Sequence, residues 1–560
     1  MQKPNINNFK FFSVVFLISL IFLFSCSKIF IKKSQKEVTP HAMVAAAHPI
    51  ASQVGMDILK KGGNAVDAAL AIAFALSIAE PNASGIGGGG FLMIKMTDQK
   101  EPVMIDYREI APGKATAAYY YQNDSSFYEY THGGEKSIGV PGLVACAELA
   151  LPKYGSMSLK EILSPAIKLA NDGIVVSEKL NGMIVDNFEK IMNYEATSKI
   201  YLSDMMPLES GSKLTNRNLA NTFSKITENG GSVFYEGEIA EAIATEVKNQ
   251  GGFISLSDLK KYQAKIRKPI IGNYRGYQII STAPPSAGMF LIELLNMMER
   301  YDVRSLGHNS AQFIHFFTEA MKIMYADKTV NAADPDFYNV PVEYFTDKKY
   351  ARGKQKLINP NKAGFEYSSK TVTTRESNDT SHLSIVDEKG NIVALTQSIN
   401  HWFGSGLVVP GTGILLNDHL GDFNDLPGFP NSIEPHKRPA SNTAPTIILK
   451  NGKSFMTLGS PGGTRIISAL AQIIMNVIDF NMSMDQAIEA PRLHCLKNIL
   501  HLEGRIEENI VGELEKMGHK LKIHPDFDNF FGGAQGIIIQ KEGTLDGGAD
   551  SRRDGVAIGY

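Results

Sequence analysis

Asp379-Thr380-Ser381-His382-Leu383-Ser384-Ile385-Val386-Asp387 is the stretch on which the reading of this chain turns. It follows a polar segment, Ser368 to Asn378, without hydrophobic period, and itself reads as a strand. Glu388-Lys389-Gly390 has the form of a three-residue hairpin loop, with Gly390 where a positive φ is needed. A second alternating run extends from Ile392 to Asn400. With Asp387 opposite Asn391, Thr380 falls opposite Ser398, and period two sets Thr396, Ser398 and Asn400 on one face. A threonine opening a buried strand, facing hydroxyl and amide groups, suits an N-terminal nucleophile. An ordinary polar-edged hairpin has the same pattern.

Downstream, strands at Thr446 to Leu449 and Ser454 to Leu458 bracket an Asn451-Gly452 turn. Gly459-Ser460-Pro461-Gly462-Gly463-Thr464-Arg465 then opens the apolar helix Ile466 to Val477. Unpaired N–H groups at such a helix start converge on one spot with the positive dipole end behind them. Gly462 and Gly463 can therefore stabilise an oxyanion, although strand–glycine–helix junctions are commonly structural.

Upstream, helical spacing runs from His48 to Leu59 and stops at Gly62-Gly63. Asn64 is placed to cap a second helix, Ala65 to Ala79, which is apolar on nearly every side and so belongs inside a large core. The run Gly85 to Gly90 leads into a strand, Phe91 to Ile94, and lacks the Gly-Lys-Ser/Thr of a phosphate loop. Close backbone packing beside a site explains it better. Met104 to Glu109 reads as a strand ending in charge, where Arg108 is either a carboxylate anchor or a structural ion pair. Leu143 to Leu151 is a helix, residues 157 to 265 are mostly helical, and Tyr277 to Ser281 is a short strand. Helices follow at Gly288 to Arg300 and Ser310 to Ala326, and Thr412 to Asn417 reads as a strand.

The composition is ordinary for a globular protein: 560 residues, 43% hydrophobic, 20% charged. A formal charge of -2 supplies no basic surplus for phosphates, which argues against nucleic acid as partner. The apolar run Phe11 to Phe24 is shorter than the ~20 residues of a membrane span and reads as a signal peptide. Ser25-Cys26 resembles a lipobox, which would make Cys26 a lipidated N-terminus; a plain secretory signal is the alternative. A Lys/Arg run, Lys32-Lys33 to Lys36, reads as a solvated tether. Cys146 and Cys495 read as buried thiols, and no Cys/His spacing suggests a structural zinc.

Thr380 to Asp387 together with Gly459 to Arg465 resembles the gamma-glutamyltranspeptidases (gamma-glutamyl hydrolases), which are N-terminal-nucleophile enzymes. Gly62 to Ala69, Gly87 to Phe91, Asp106 to Glu109, Pro284-Pro285-Ser286 and the Asp554-Gly555 region match as well. The resemblance covers nearly all the chain beyond about residue 40. It implies an α+β fold, a four-layer αββα sandwich, built jointly from residues 41–379 (large fragment) and 380–560 (small fragment) after self-cleavage between Asp379 and Thr380. Residues 1–26 would be a signal peptide and 27–40 a linker.

By position, the resemblance makes Thr380 the nucleophile, Ser398 its neighbour where the family usually has threonine, and Gly462 and Gly463 the oxyanion hole. Arg108 and Ser441 match groups that hold a glutamyl α-carboxylate, while Asn400 and Asp422 match groups that hold its α-ammonium. His419 stands where glutamate or glutamine is usual, and Asn442 replaces a second serine. No metal or organic cofactor is implied. The expected partners are a gamma-glutamyl amide such as glutathione, with water or an amino acid or peptide as acceptor, and the two fragments as a heterodimer. The expected location is the bacterial envelope, periplasmic or anchored to a membrane by lipid. The rivals are an amidase of the same fold acting on acyl side chains (cephalosporin-acylase-like) or poly-gamma-glutamate, and a non-catalytic binding lipoprotein. The loop Phe423 to Arg438, with Pro427, Pro430 and Pro435, is short for a lid and implies an open pocket.

Overall fold

The computed structural model describes residues 37–39, 41–123, 125–364, 367 and 379–560. Cys26, the apolar run before it, the Lys32–Lys36 tether and the polar segment Ser368 to Asn378 lie outside the described residues. No helix among those described is long and apolar enough to cross a membrane.

The hairpin forms with the expected register: Ser381 pairs with Gln397 and Val386 with Ile392, strands running Ser381–Val386 and Ile392–Ser398. Its turn is closed by Asp387 and Asn391, and Gly390 has φ 78°. The Asp387 carboxylate accepts from the backbone amides of Lys389 and Asn391, from the Asn391 side chain, and from Ala65 N at 2.9 Å. Ala65 is the first residue of the buried helix Ala65–Ala79, so the turn's negative charge sits on a helix N-terminus, where the dipole favours it. That helix starts with the Asn64–Asp67 capping box, and every one of its residues is buried.

The hairpin is the centre of a seven-stranded antiparallel sheet. In order, its strands are Val556–Gly559, Met43–Ala46, Ser381–Val386, Ile392–Ser398, Gly89–Lys95, Val103–Asp106 and Lys265–Arg267. A second seven-stranded antiparallel sheet orders Glu37–Thr39, Leu545–Ala549, Gln535–Ile539, Lys453–Gly459, Thr446–Lys450, Tyr277–Ser281 and Ile270–Tyr274. Both sheets interleave strands from before and after residue 379. Glu37–Thr39 falls in the stretch read as linker: it is not free tether but an edge strand paired to Leu545–Ala549.

Three apolar clusters define four layers. Met43, Phe91, Met93, Ile392 and Ala394 meet Ile280, Ile447 and Ile537 between the sheets. Leu383, Ile385, Val393 and Leu395 face the helix Ala65–Ala79 and its neighbours. Ile448, Met456 and Leu458 face the helices Gly288–Met298, Ala311–Asn331 and Arg465–Ile478. Alternation along each strand generates this arrangement, because odd and even residues must each find an apolar partner layer. The αββα sandwich is thus the observed fold.

Local departures are small. Thr412 to Asn417 contains only the two-residue strand Ile414–Leu415, and residues 157–265 hold short two-stranded pieces among their helices. Cys146 and Cys495 are free, buried thiols, as expected.

Candidate active site

Even-numbered residues of the strand Ser381–Val386 face the gap between the sheets. His382 Nδ1 lies 2.8 Å from Thr396 Oγ1 and its Nε2 lies 3.0 Å from Ser384 Oγ, which in turn reaches Thr457 Oγ1 of the other sheet at 3.4 Å. Burial drives the His382 imidazole down to about 3, so it is neutral at physiological pH. Its ring also packs on Gly459, where any Cβ would collide with it. This contact brings the start of the glycine loop beside the strand that directly follows Thr380.

Thr380 does not lie in the strand, which begins at Ser381. It is buried, with φ 129°. For a β-branched residue this is a genuine outlier, held at a cost on the order of 1–3 kcal/mol. Its surroundings hold it there: the Thr380 carbonyl accepts from Arg553 Nη1 at 3.1 Å, and Arg553 approaches Glu80 at 3.7 Å. Ser381 Oγ, one residue on, donates to Glu80 and shares a hydrogen bond with Ser84. Burial raises Glu80 to about 7, with Arg553 and Ser381 opposing the rise. The Asp379 carboxyl is raised well above the ordinary range, chiefly by burial. Next to it, burial pulls His401 down but Asp418, 2.8 Å away, more than reverses this, bringing the imidazole to about 9. Asp418 is correspondingly held at about 2 against its burial.

Ser398 closes the partner strand one residue beyond Gln397, the partner of Ser381, and its Oγ accepts from Asn400 N at 2.8 Å. Asn400 leaves the strand at φ 75°, so it does not continue the Thr396–Ser398 face by simple alternation; its side chain donates to Asp418 O. Gly88 backs this corner, where a Cβ would run into the Ser398 carbonyl. Gly462 (φ 123°) and Gly463 (φ 54°) turn the chain into the helix Arg465–Ile478, a conformation suited to glycine. Among the described residues neither glycine's N–H donates to a protein acceptor.

The second half of the site is built from three distant segments. Arg108, buried, forms an ion pair with Asp422 and donates to the carbonyls of Pro439 and Ala440, each at 3.3 Å. Ser441 follows directly, its Oγ 2.9 Å from Thr443 Oγ1. Asn431 ties the two arms together, donating to Asp422 O and accepting from Ala440 N. The loop Phe423 to Arg438 does not stand free. Phe423 and Ile433 pack with Tyr120 and Phe127, while Tyr121 OH donates to Asn424 O and accepts from Ile433 N.

His419 does not stand alone facing this pocket. It is buried with Nδ1 2.8 Å from Glu109 Oε1, and Glu109 also approaches Arg108 at 3.5 Å. The Asn442 side-chain oxygen is buried without a hydrogen-bond partner among the described residues. Lys328, buried on the helix Ala311–Asn331, feels Asp422 electrostatically; burial lowers its ammonium to about 8 despite that carboxylate. Glu80, Arg553, His401, Asn431, Glu109 and Lys328 escape sequence reasoning, since each acts through a partner remote in the chain.

A family model described as gamma-glutamyltranspeptidase matches residues 51–560. The glutathione hydrolase proenzyme of Escherichia coli (strain K12) is 39% identical over 541 residues, covering 92% of each chain. That of Bacillus subtilis (strain 168) is 37% identical over 547 residues, covering 94% of this chain and 92% of its own. The crystal structure of the cephalosporin acylase from Bacillus halodurans superposes with a TM-score of 0.86 at 28% identity, over 96% of this chain and 98% of that one.

Proposed function

The chain belongs to the gamma-glutamyltranspeptidase family, and from that premise we propose how its residues divide the work of a self-processing gamma-glutamyl hydrolase and transferase. Its substrates are gamma-glutamyl amides such as glutathione. The observation that carries the assignment of Thr380 is its backbone: a β-branched residue at φ 129°, directly after Asp379 and directly before the strand. That angle is defined by the Asp379–Thr380 bond. Once the bond is broken, the clash it imposes is gone.

Thr380 Oγ1 attacks the Asp379 carbonyl carbon, the C–N bond breaks, and the nitrogen takes the proton. The resulting ester is hydrolysed by water, leaving the Asp379 carboxyl on the large fragment and a free α-amine on Thr380. An α-amine titrates near 7.7–8.0, so at neutral pH a useful fraction can take the hydroxyl proton when Thr380 attacks a donor amide. The oxyanion points at the N–H groups of Gly462 and Gly463, and Ser398 supports the nucleophile. Water or an amine then releases the acyl group.

Donor selection rests on the Arg108–Asp422 pair. A zwitterionic amino-acid head can replace it charge for charge, its carboxylate on Arg108 and Ser441 and its ammonium on Asp422 and Asn400. Glu109 borders the same guanidinium, with His419 behind it, and Asn442 offers a further donor. Because Phe423 to Arg438 is pinned to Tyr120, Tyr121 and Phe127, the pocket stays open, favouring hydrolysis over transfer and admitting gamma-linked oligomers. The near-complete superposition on a cephalosporin acylase favours a second reading, hydrolysis of other acyl amides.

The test is one panel on processed protein: glutathione, a longer gamma-glutamyl oligomer and a cephalosporin-type acyl amide, with and without a dipeptide acceptor. Preference for gamma-glutamyl donors with weak acceptor stimulation is expected. Rejection of the oligomer with strong acceptor stimulation would sink the open pocket, and preference for the acyl amide would install the second reading. We also propose lipidation at Cys26 and an envelope location, supported by the apolar run that ends there. Cys26→Ser should move the protein from the membrane to the soluble envelope fraction; unchanged fractionation would remove the anchor.

A further inference from the structure

Some distance along the chain from every residue named in the reaction, two helix residues and one turn residue converge in the interior. His315 and Glu319 lie four apart on the helix Ala311–Asn331, hence on one face. His519 comes from the turn between the helix Glu508–Lys516 and the strand Lys520–His524. One ligand atom from each lies within 4.8 Å of the other two, and all three residues are buried.

The hydrogen bonding orients the set. His315 Nε2 lies 2.7 Å from the Asn359 carbonyl, which can only accept, so this nitrogen carries the proton and Nδ1 presents its lone pair inward. A backbone carbonyl behind an imidazole N–H is the support that metal-bound histidines use. His519 Nε2 is 2.8 Å from that Nδ1. Glu319 accepts from Lys322 on one oxygen and from Gly364 N and Tyr367 OH on the other. Of the roughly four lone-pair directions of a carboxylate, one is left. Lys322 also donates to Gly364 O, so its ammonium has a second acceptor when a cation draws on Glu319.

We propose that His315, Glu319 and His519 form a site for a divalent transition ion, Zn²⁺ by the chemistry of two imidazoles and one carboxylate, with water as fourth ligand. Two nitrogens and one oxygen disfavour Ca²⁺ and Mg²⁺, which take oxygen ligands. Tetrahedral bonds of about 2.0–2.1 Å set two ligand nitrogens roughly 3.3 Å apart, so the imidazoles part by about half an ångström on binding. The site joins both sides of the cleavage point: His315 and Glu319 precede residue 380 and His519 follows it. The arm leading to the cut is held at the same place, through Asn359, Gly364 and Tyr367 on the cluster and through Ala363 N on Met517 O at 2.8 Å. The ion would fasten the large fragment to the small one; this fastening role rests on cleavage before Thr380, whereas the ion site itself does not.

The experiment uses processed wild-type protein stripped with chelator, titrated with Zn²⁺ against a chromophoric chelator and separately with Co²⁺. One ion per heterodimer, a visible Co²⁺ d–d absorption and a chelator-reversible rise in Tm of several degrees are expected. His519→Ala should lose the Co²⁺ spectrum and weaken Zn²⁺ binding by more than about 100-fold, beyond what loss of a supporting group costs. Glu319→Gln, which keeps the shape and removes the charge, serves if His519→Ala fails to fold, and should weaken binding in the same direction. Wild-type protein that takes up no ion at micromolar metal, or variants that bind as it does, would overturn the site and leave a proton shared between two imidazoles. The uncut Thr380→Ala chain should bind one ion too, with a smaller Tm shift because its fragments remain covalently joined; equal shifts would overturn the fastening role alone.

Discussion

The two halves of the site are built in opposite ways. Ser398 and the strand that starts at Ser381 belong to one hairpin, where sheet register decides what stands opposite what, and Thr380 directly precedes that strand, its carbonyl held by Arg553. Arg108, Asp422 and Ser441 arrive on three segments, joined by one guanidinium and one asparagine side chain. A register cannot drift without turning every side chain over, so the strand that Thr380 precedes is fixed as firmly as the core. A pocket held by single side chains can be retuned one contact at a time. Chemistry should therefore fail as a whole on the first side, and affinity should change by degrees on the second.

The contrast breaks most completely at Thr380. Thr380→Ala should stay a single chain on a denaturing gel, with no turnover; a wild-type chain that remains intact yet hydrolyses substrate would refute the nucleophile assignment. On the pocket side, Arg108→Ala leaves Asp422 without its partner. Losing one member of such a pair costs about 2–5 kcal/mol, so kcat/KM for a gamma-glutamyl donor should fall by roughly 30- to 5,000-fold, mostly in KM, with processing intact. Arg108→Lys should recover only part, since an ammonium lacks the planar fork. If Arg108→Ala blocked processing as well, the two halves would not be separable.

The His401–Asp418 pair lies next to Asp379 and sharpens the comparison through pH. His401 stands at about 9 in the folded chain against an ordinary 6.5, so its contribution to stability is complete below about pH 6.5 and is lost as pH rises through 9. Asp418, at about 2 against 3.8, contributes fully above about pH 4 and loses this as pH falls through 2. The Tm gap between wild type and His401→Gln should thus be widest near pH 4–6.5 and close towards pH 9. Parallel Tm–pH curves would remove the pair from the stability of the cleavage site.

The smallest effect is expected at His419. His419 is buried with Nδ1 2.8 Å from Glu109 Oε1, and Glu109 in turn approaches Arg108, so the imidazole reaches the donor pocket only through that carboxylate. His419→Gln should therefore leave KM for a gamma-glutamyl donor nearly unchanged, with at most a small change in kcat/KM. A large rise in KM in His419→Gln would show that the imidazole acts on substrate directly.

Much of this protein is determined by its sequence alone, wherever the deciding interactions are local. The hairpin register follows from its loop, the helix Ala65–Ala79 from its cap and its apolar content, and the Gly462-Gly463 turn from the backbone angles only glycine adopts readily. Thr380, Arg108, Asp422 and Ser441 are singled out by resemblance to a family. Their partners are not. Arg553 on Thr380, Glu80 on Ser381, Glu109 on His419, Asn431 between two pocket arms and His519 against His315 are contacts between residues separated by 9 to more than 300 positions, most of them by far more than a helical turn or a hairpin spans. Tertiary structure alone decides such contacts, because a side chain's remote neighbour is set by how sheets and helices stack, and stacking leaves no periodic trace in the residues that meet.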